Sequence, residues 1–257
     1  MNFPVVPTIT EAIIARAQHP SFGYFFPTDK YYDSIVQWHE KRNGVTGLTK
    51  EHIGYENGVL GGVVSALNVL CSRVDNRAGS LPHLQRLYIL SDQCRVFHRP
   101  LSTGSGRARH LAHGLRGHGE EDRGQPHSHR TILLPHNPTG RVWERWELEK
   151  AMEIFQRHGV YVISDEIWSD IIRPGQKHIP TQMVNSYAKE HTVALYAPSK
   201  TFNLAGLIGS YHIIYSKWLR DRVDKESSLC HYNEINVLSM HALIGAYKPE
   251  GYEWWMS

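Results

Sequence analysis

The alternation of short apolar strands and helices between residues 131 and 215 constrains the fold of this chain more than any other feature. The pattern predicts an amphipathic helix over 144–158, which Gly159 ends. It also predicts four short strands, at 131–134, 160–164, 193–196 and 209–215. Elements at these spacings favour parallel βαβ units. We therefore expect an α/β fold that binds its ligand at the carboxyl ends of the strands.

The N-terminal part of the chain reads mainly as helix. The pattern from Thr8 to about Asn43 is helical and stops at Gly44. We expect a turn over Gly54–Asn57, followed by a helix over Gly58–Leu70 that is entered through small residues. Such an entry leaves backbone N–H groups and the positive end of the helix dipole available to a phosphate.

Composition indicates a water-soluble globular protein. The chain has 257 residues, of which 41% are hydrophobic and 21% charged, enough for one large domain or two small ones. No run approaches the roughly 18 to 20 apolar residues of a membrane span, and the N-terminus lacks the layout of a secretory signal, so we expect a cytoplasmic protein with no membrane partner. Three cysteines without CxxC spacing indicate neither a disulfide framework nor a thiolate metal site.

The positive charge is confined to one segment. Residues 73–130 contain ten arginines, no lysine and five acidic residues, a local charge of +5, whereas the whole chain carries +3, so the remainder carries −2. The rest of the chain therefore has no basic face for a phosphate backbone, and we expect no nucleic-acid partner. RNA binding by the arginine-rich stretch itself is disfavoured because only Tyr88 and Phe97 supply aromatic rings there.

Residues 76–130 also break the strand and helix pattern. This segment holds seven histidines, and those from His110 to His129 could ligate zinc or nickel, but they lack a regular ligand spacing. Its glycine content favours disorder over a metal centre, and we expect no metal site. A further hypothesis is that the segment is translated out of frame between two compensating shifts, because arginine, histidine and glycine rise there while lysine vanishes. Reading the nucleotide sequence in all three frames tests it.

Three polar side chains follow successive predicted strands. Asn137, Asp165 and Lys200 come after the strands that end near 134, 164 and 196. A desolvated lysine amine has a lowered pKa and can form an imine with an aldehyde cofactor. A carboxylate can keep a pyridine nitrogen protonated, and an amide can hydrogen-bond a phenolate oxygen. Two of them also have a purely structural interpretation, since Asp165 could cap a helix and most Ser-Lys pairs have no role in cofactor binding.

The joint occurrence of four motifs resembles the fold-type I pyridoxal-phosphate (PLP) enzymes, specifically the bacterial MalY/PatB type of cystathionine β-lyase. The motifs lie at 135–143, 164–168, 177–180 and 199–203. The resemblance implies the aminotransferase-like PLP-dependent transferase fold, with a large domain whose mainly parallel sheet is flanked by helices. Residues 1–75 and 131–257 would form that domain, and 76–130 would be a divergent segment, rich in arginine, histidine and glycine, between its two parts.

The resemblance also implies the residues of a cofactor site. Lys200 would be the catalytic Schiff-base lysine, Asp165 the partner of the pyridinium nitrogen, and Asn137 the ligand of the ring 3-oxygen. The remaining implied cofactor-binding residues are Ser199, Val59 and Leu60, the last two through backbone groups of a phosphate cup. Tyr24 matches a tyrosine that reaches across a homodimer to the neighbouring cofactor phosphate. His178 either neighbours the substrate or lies on the surface of a loop.

The implied activity is α,β-elimination from cystathionine or a similar cysteine S-conjugate, a step of amino-acid metabolism. Trp168 stands where aminotransferases of the fold often carry tyrosine, which favours the lyase branch. The alternatives are an aminotransferase of the same fold, or an inactive remnant that acts as a binding or regulatory protein.

Three departures from the family set limits on this resemblance. By the resemblance we expect an N-terminal segment that would precede Met1, and most of a small C-terminal domain that would follow Trp254, to be missing from this chain, so no arginine is assigned to the substrate carboxylate. The family's ring-stacking tyrosine is also not found, because Tyr88 lies outside a Thr/Ser-Pro-x-Tyr motif.

Overall fold

The described part of the chain is an α/β unit built on one five-stranded sheet. The computed structural model describes residues 3–70, 129–137, 140–230 and 233–256. The strands lie in the order β1-β5-β4-β3-β2. Their bounds are β1 Ile53–Glu56, β2 His129–Leu133, β3 Tyr161–Asp165, β4 Thr192–Tyr196 and β5 Ser210–Ile213.

Helices lie on both faces of the sheet. Their bounds are α1 Pro7–Ala17, α2 Asp29–Asn43, α3 Val59–Leu70, α4 Arg145–His158, α5 Ser186–His191, α6 Pro198–Thr201, α7 Lys217–Cys230, α8 Val237–Ala246 and α9 Pro249–Met256. Short 3₁₀ turns occur at Lys50–His52, Thr181–Met183 and Ala205–Leu207. No helix within the described ranges is long and apolar enough to cross a membrane.

The predicted helix ends are confirmed at two glycines. Gly44 after α2 and Gly159 after α4 adopt left-handed conformations, with φ of 68° and 62°. A residue without a Cβ meets this requirement at no steric cost, which is why glycine so often ends a helix. The helix predicted after Gly58 is also confirmed as α3.

The sheet is less parallel than expected. β2, β3 and β4 are parallel to one another, but β5 runs antiparallel to both β4 and β1. The expectation that the strand at 209–215 completes another parallel unit is therefore wrong. Its alternation of side chains does not encode strand direction, and α6, with four residues, is too short to carry the chain back along the sheet.

The turn expected over Gly54–Asn57 is also wrong, because Ile53–Glu56 form the edge strand β1. Gly54 pairs with His212 of β5. A Cβ added at Gly54 would lie 2.3 Å from two atoms of the His212 ring, so this glycine serves close packing between strands and not a turn.

Alternating residues of the central strand β4 pack into two hydrophobic cores, one on each face of the sheet. Ala194 and Tyr196 of β4 pack in the cluster that contains α1, α2 and α8, whereas Val193 and Leu195 pack with α3 and α7. A further cluster joins β3 to α4 and α5. All five residues of β4 are buried, so the strand that precedes Lys200 is fixed on both faces.

The division of the chain at 75 and 130 stays a prediction. Apart from residues 129 and 130 of β2, the divergent segment 76–130 lies outside the described residues, and so do nearly all of its histidines. The disorder, reading-frame and missing-tyrosine hypotheses therefore concern residues outside the described ranges.

Candidate active site

Two parallel strand pairs bring three of the predicted residues to one edge of the sheet. Leu133 of β2 is in register with Asp165 of β3, which is in register with Leu195 of β4. Asn137 lies four residues after Leu133, and Lys200 lies five residues after Leu195. The carboxyl ends of β2, β3 and β4 thus form a single edge, the position at which α/β sheets bind ligands.

Asp165 is partly buried at the end of β3. Its Oδ1 accepts a hydrogen bond from the backbone N–H of Ile167 at 3.1 Å, a local turn and not a helix cap. Burial raises the pKa of Asp165 to about 6, although the Ile167 amide and the Lys200 charge act in the opposite direction. The carboxylate is therefore poised to gain a cationic partner, which would stabilise its charged form.

Lys200 lies in the short helix α6, directly after the buried strand β4. Pro198 begins this helix, and Ser199 and Lys200 are partly buried. The Lys200 Nζ lies 5.5 Å from the centroid of the Trp168 ring, which follows Asp165 by three residues. The Lys200 amine thus lies over an aromatic ring that belongs to the same segment as the Asp165 carboxylate.

Asn137 lies exposed in a tight turn after β2. The N–H of His136 donates to the carbonyl oxygen of Arg141 at 2.9 Å, and Gly140 closes the turn with a φ of 67°. Pro138 and Thr139 of the predicted motif are outside the described residues. The turn places Asn137 beside the edge, where its side chain is free to meet a ligand.

The predicted phosphate cup is the entry of α3. Gly58 has a φ of 80°, Val59 is buried and the Leu60 side chain is exposed. The first-turn amides at 59–61 precede the intrahelical ladder and are available to an anion. Val59 packs in the same core cluster as Ala197, so the entry of α3 and the residue just before α6 share one core.

Tyr24 is placed differently from the other predicted residues. Its side chain is fully exposed in the extended segment between α1 and α2. No described residue makes a hydrogen bond or ring contact with it. The role predicted for it across a dimer stays a prediction.

A buried network around Glu166 was not predicted. The carboxylate, with no exposed surface, accepts hydrogen bonds from Ser164 Oγ at 2.9 Å, Tyr196 Oη at 2.7 Å and the Thr181 N–H at 3.1 Å, and faces His178 Nε2 at 2.6 Å. Burial alone would raise the pKa of Glu166, but His178 and the hydrogen bonds outweigh it and lower the pKa. The network fixes the chain that follows Asp165 onto β4.

This network corrects one interpretation and shows what the sequence hid. His178 is buried, so its placement on a loop surface is wrong, and its partner is Glu166. The one available signal was that two acids, Asp165 and Glu166, are adjacent at the end of an apolar strand. Since only one of them can face a ligand at that edge, the other has to find a partner inside the protein.

A second buried carboxylate lies at Asp170. Thr201 Oγ1 donates to its Oδ2 at 2.7 Å, Arg42 Nε lies 3.4 Å from its Oδ1, and Arg42 Nη2 donates to its backbone oxygen at 2.9 Å. Desolvation raises the pKa of Asp170, with Thr201 and Arg42 opposing that effect. These contacts join α2, the segment after β3 and the lysine helix α6.

Comparison with known proteins supports the interpretation of this edge. Residues 126–240 match the family model described as aminotransferase class I and II. The fold also superposes on the PLP-bound carbon–sulfur lyase of Staphylococcus hominis with a TM-score of 0.77 and 26% identity, covering 100% of this chain and 65% of that one. The chain has the fold of the PLP-dependent aminotransferases.

Among curated relatives, this aminotransferase-fold chain is similar to two bacterial proteins. It is 31% identical to cystathionine β-lyase PatB of Bacillus subtilis over 98% of this chain, and 28% identical to protein MalY of Escherichia coli over 99%. It spans 64% of the length of each relative. The predicted resemblance to the MalY/PatB type is thereby confirmed.

Proposed function

We propose that this chain is part of a PLP-dependent carbon–sulfur β-lyase that acts on cystathionine or similar cysteine S-conjugates. The observation that carries the proposal is that Asp165 and Lys200 follow two adjacent parallel strands at the same edge of the sheet, near enough for the Lys200 charge to lower the pKa of Asp165. The similarity to PatB over nearly the whole chain supports the reaction class.

The residues at this edge fit the cofactor. Lys200 would hold PLP through its amine, and Asp165 would pair with the protonated ring nitrogen. Asn137 and the first-turn amides at Val59 and Leu60 suit the ring oxygen and the phosphate, and Ser199 lies next to the lysine. When bound, the cofactor supplies an electron sink for a carbanion at the substrate α-carbon.

The chain's own groups would then perform the proton chemistry. Lys200 Nζ would take the proton from the substrate α-carbon, and the thiolate would leave from the β-carbon. Asp165 keeps its partner nitrogen protonated during this step. The Trp168 ring limits access of water to the amine. The products after hydrolysis are a thiol, pyruvate and ammonia.

A homodimer is proposed as the active assembly. The extended segment before α2 exposes three aromatic side chains, Phe22 at 59%, Tyr24 at 106% and Phe26 at 90%. A run of exposed aromatic rings is typical of a surface that another chain covers. A second copy would bring Tyr24 to its neighbour's cofactor phosphate, as predicted from the sequence. The expected location in the cytoplasm stays a prediction as well.

The aminotransferase alternative rests on the family match of residues 126–240, which includes Asn137, Asp165 and Lys200. Lyases and aminotransferases of this fold share the lysine, the carboxylate and the cofactor. They differ in whether the β-substituent leaves or a second keto acid accepts the amino group. A catalytically inactive remnant with a binding or regulatory role is a third alternative.

Product analysis with cystathionine separates these alternatives. We expect the purified chain with PLP to release pyruvate and a thiol in equal amounts without any added keto acid. Lys200→Ala should remove this release, because the proton acceptor is lost. Amino-group transfer that depends on an added keto acid would favour the aminotransferase, and no turnover by a cofactor-loaded chain would favour the inactive remnant.

A further inference from the structure

The lysine helix α6 cannot set its own position. It has only four residues, and isolated helical turns of that length are unstable in water. Beyond Phe202 the chain continues into Asn203, whose φ of 56° marks the end of helical backbone. The location of Lys200 must therefore depend on contacts that α6 makes with the rest of the protein.

The side-chain anchor of α6 is the residue after the lysine. Thr201 is 1% exposed, and its hydroxyl donates to Asp170 Oδ2 at 2.7 Å. Hydrogen bonds to an ionised acceptor in a buried site are among the stronger ones in proteins. Pro198 and Ala197, which precede the lysine, are buried but offer no side-chain hydrogen bond of this kind.

Asp170 is itself held in place. Arg42 of α2 contacts both its carboxylate and its backbone oxygen, and only 14% of the Arg42 side chain is exposed. Trp168, two residues earlier, contacts the Lys200 amine. The segment 168–170 therefore contacts α6 twice, through Trp168 at the Lys200 amine and through Asp170 at Thr201, the last residue of the helix.

We infer that Asp170, held by Arg42, is a positioning residue that sets the Lys200 amine for bond formation through its hydrogen bond to Thr201. The inference rests on the proposed function, since it assumes that Lys200 captures PLP. Neither Asp170 nor Thr201 is required to touch the cofactor. Loss of the hydrogen bond should thus impair covalent capture more than it impairs occupancy of the pocket.

The test compares three threonine variants. Thr201→Val removes the hydroxyl and keeps the shape, whereas Thr201→Ser restores the hydroxyl. Thr192→Val is the matched control, because Thr192 is fully buried and its Oγ1 has no hydrogen-bond partner among the described residues. Covalent capture of PLP is measured after borohydride reduction, and non-covalent occupancy with pyridoxamine phosphate, which lacks the aldehyde.

We expect Thr201→Val to slow covalent capture about tenfold, the scale of one charge-assisted hydrogen bond. Its affinity for pyridoxamine phosphate should stay within about twofold of wild type, a change too small to signal a lost contact. Thr201→Ser should recover most of the capture rate, and Thr192→Val should match wild type. Should Thr201→Val fail to fold, Arg42→Lys replaces it, with a smaller expected loss of capture.

The outcomes separate the two proposals. Wild type that captures no PLP defeats the proposed function and this inference with it. Wild type that captures PLP while Thr201→Val captures it equally fast overturns only the inference. A parallel fall in capture and in pyridoxamine phosphate binding also overturns it, because that pattern indicates general damage to the pocket.

Discussion

Glu166→Ala should destabilise the protein by about 3–5 kcal/mol, the scale observed when one partner of a buried ionic network is removed. Ser164, His178, Thr181 and Tyr196 would each lose the acceptor that now satisfies them inside the core. The deleted side chain would also leave a cavity. Urea denaturation of the two proteins measures the difference.

Glu153→Ala is the control for this experiment. Glu153 pairs with Lys150 on the exposed face of α4, where 59% of its side chain is accessible. We expect a change below about 0.5 kcal/mol, since exposed ion pairs contribute little. Similar losses for Glu166→Ala and Glu153→Ala would contradict the buried network. Because the folded-state pKa of Glu166 is lowered, its contribution should also fade as the solution is acidified.

Asp165→Asn should stabilise the cofactor-free chain at pH 7 while removing its capacity to retain PLP. Burial raises the pKa of Asp165 from 3.8 to about 6, so folding disfavours the ionised form. This shift already includes the attraction to Lys200, and it corresponds to about 2 kcal/mol after allowance for partial exposure of the side chain. Asparagine can keep the hydrogen bond from the Ile167 N–H.

The pH dependence of that gain has a defined sign. Between about pH 3.8 and about pH 6 the folded chain binds the Asp165 proton more strongly than the unfolded chain, so this group lowers stability as the pH rises. The advantage of Asp165→Asn should therefore be near zero at pH 3.8 and largest above pH 6. Thermal melts across this range measure it.

Asp221→Asn serves as the control for the pH series, because Asp221 is 60% exposed beside Lys217 on α7. Its stability should follow wild type at every pH, within about 0.5 kcal/mol. An advantage of Asp165→Asn that is equal at low and neutral pH would show that burial of the charge is not its cause. If Asp165→Asn were no more stable than wild type at any pH, the Asp165 carboxylate would not be a buried charge that needs a cationic partner.

The sequence predicted those features that local chemistry determines. Gly44 and Gly159 end helices because glycine adopts the left-handed backbone conformation at no steric cost. An acid or a lysine after a buried strand has few places to lie other than the sheet edge. Asn137, Asp165 and Lys200 therefore follow β2, β3 and β4 at one edge of the sheet, as expected from their order, and their roles at a cofactor stay predictions.

Features that depend on distant partners could not be predicted. Gly54 was interpreted as a turn because its reason for being glycine is the His212 ring, 158 positions away. The direction of β5 has no signature in its alternation of side chains. Asp170 gave no signal because its partners Arg42 and Thr201 lie on two other elements, 128 and 31 positions away.

Capture of PLP by the purified chain tests the central claim most directly. We expect a visible absorption band on addition of PLP, and we expect borohydride reduction to leave the cofactor on Lys200 in the peptide map. Lys200→Ala should lose both signals, whereas Lys217→Ala, at a lysine 77% exposed on α7, should keep them. A folded wild-type chain that takes up no PLP at saturating concentration, or a Lys200→Ala variant that captures it equally well, would contradict the account.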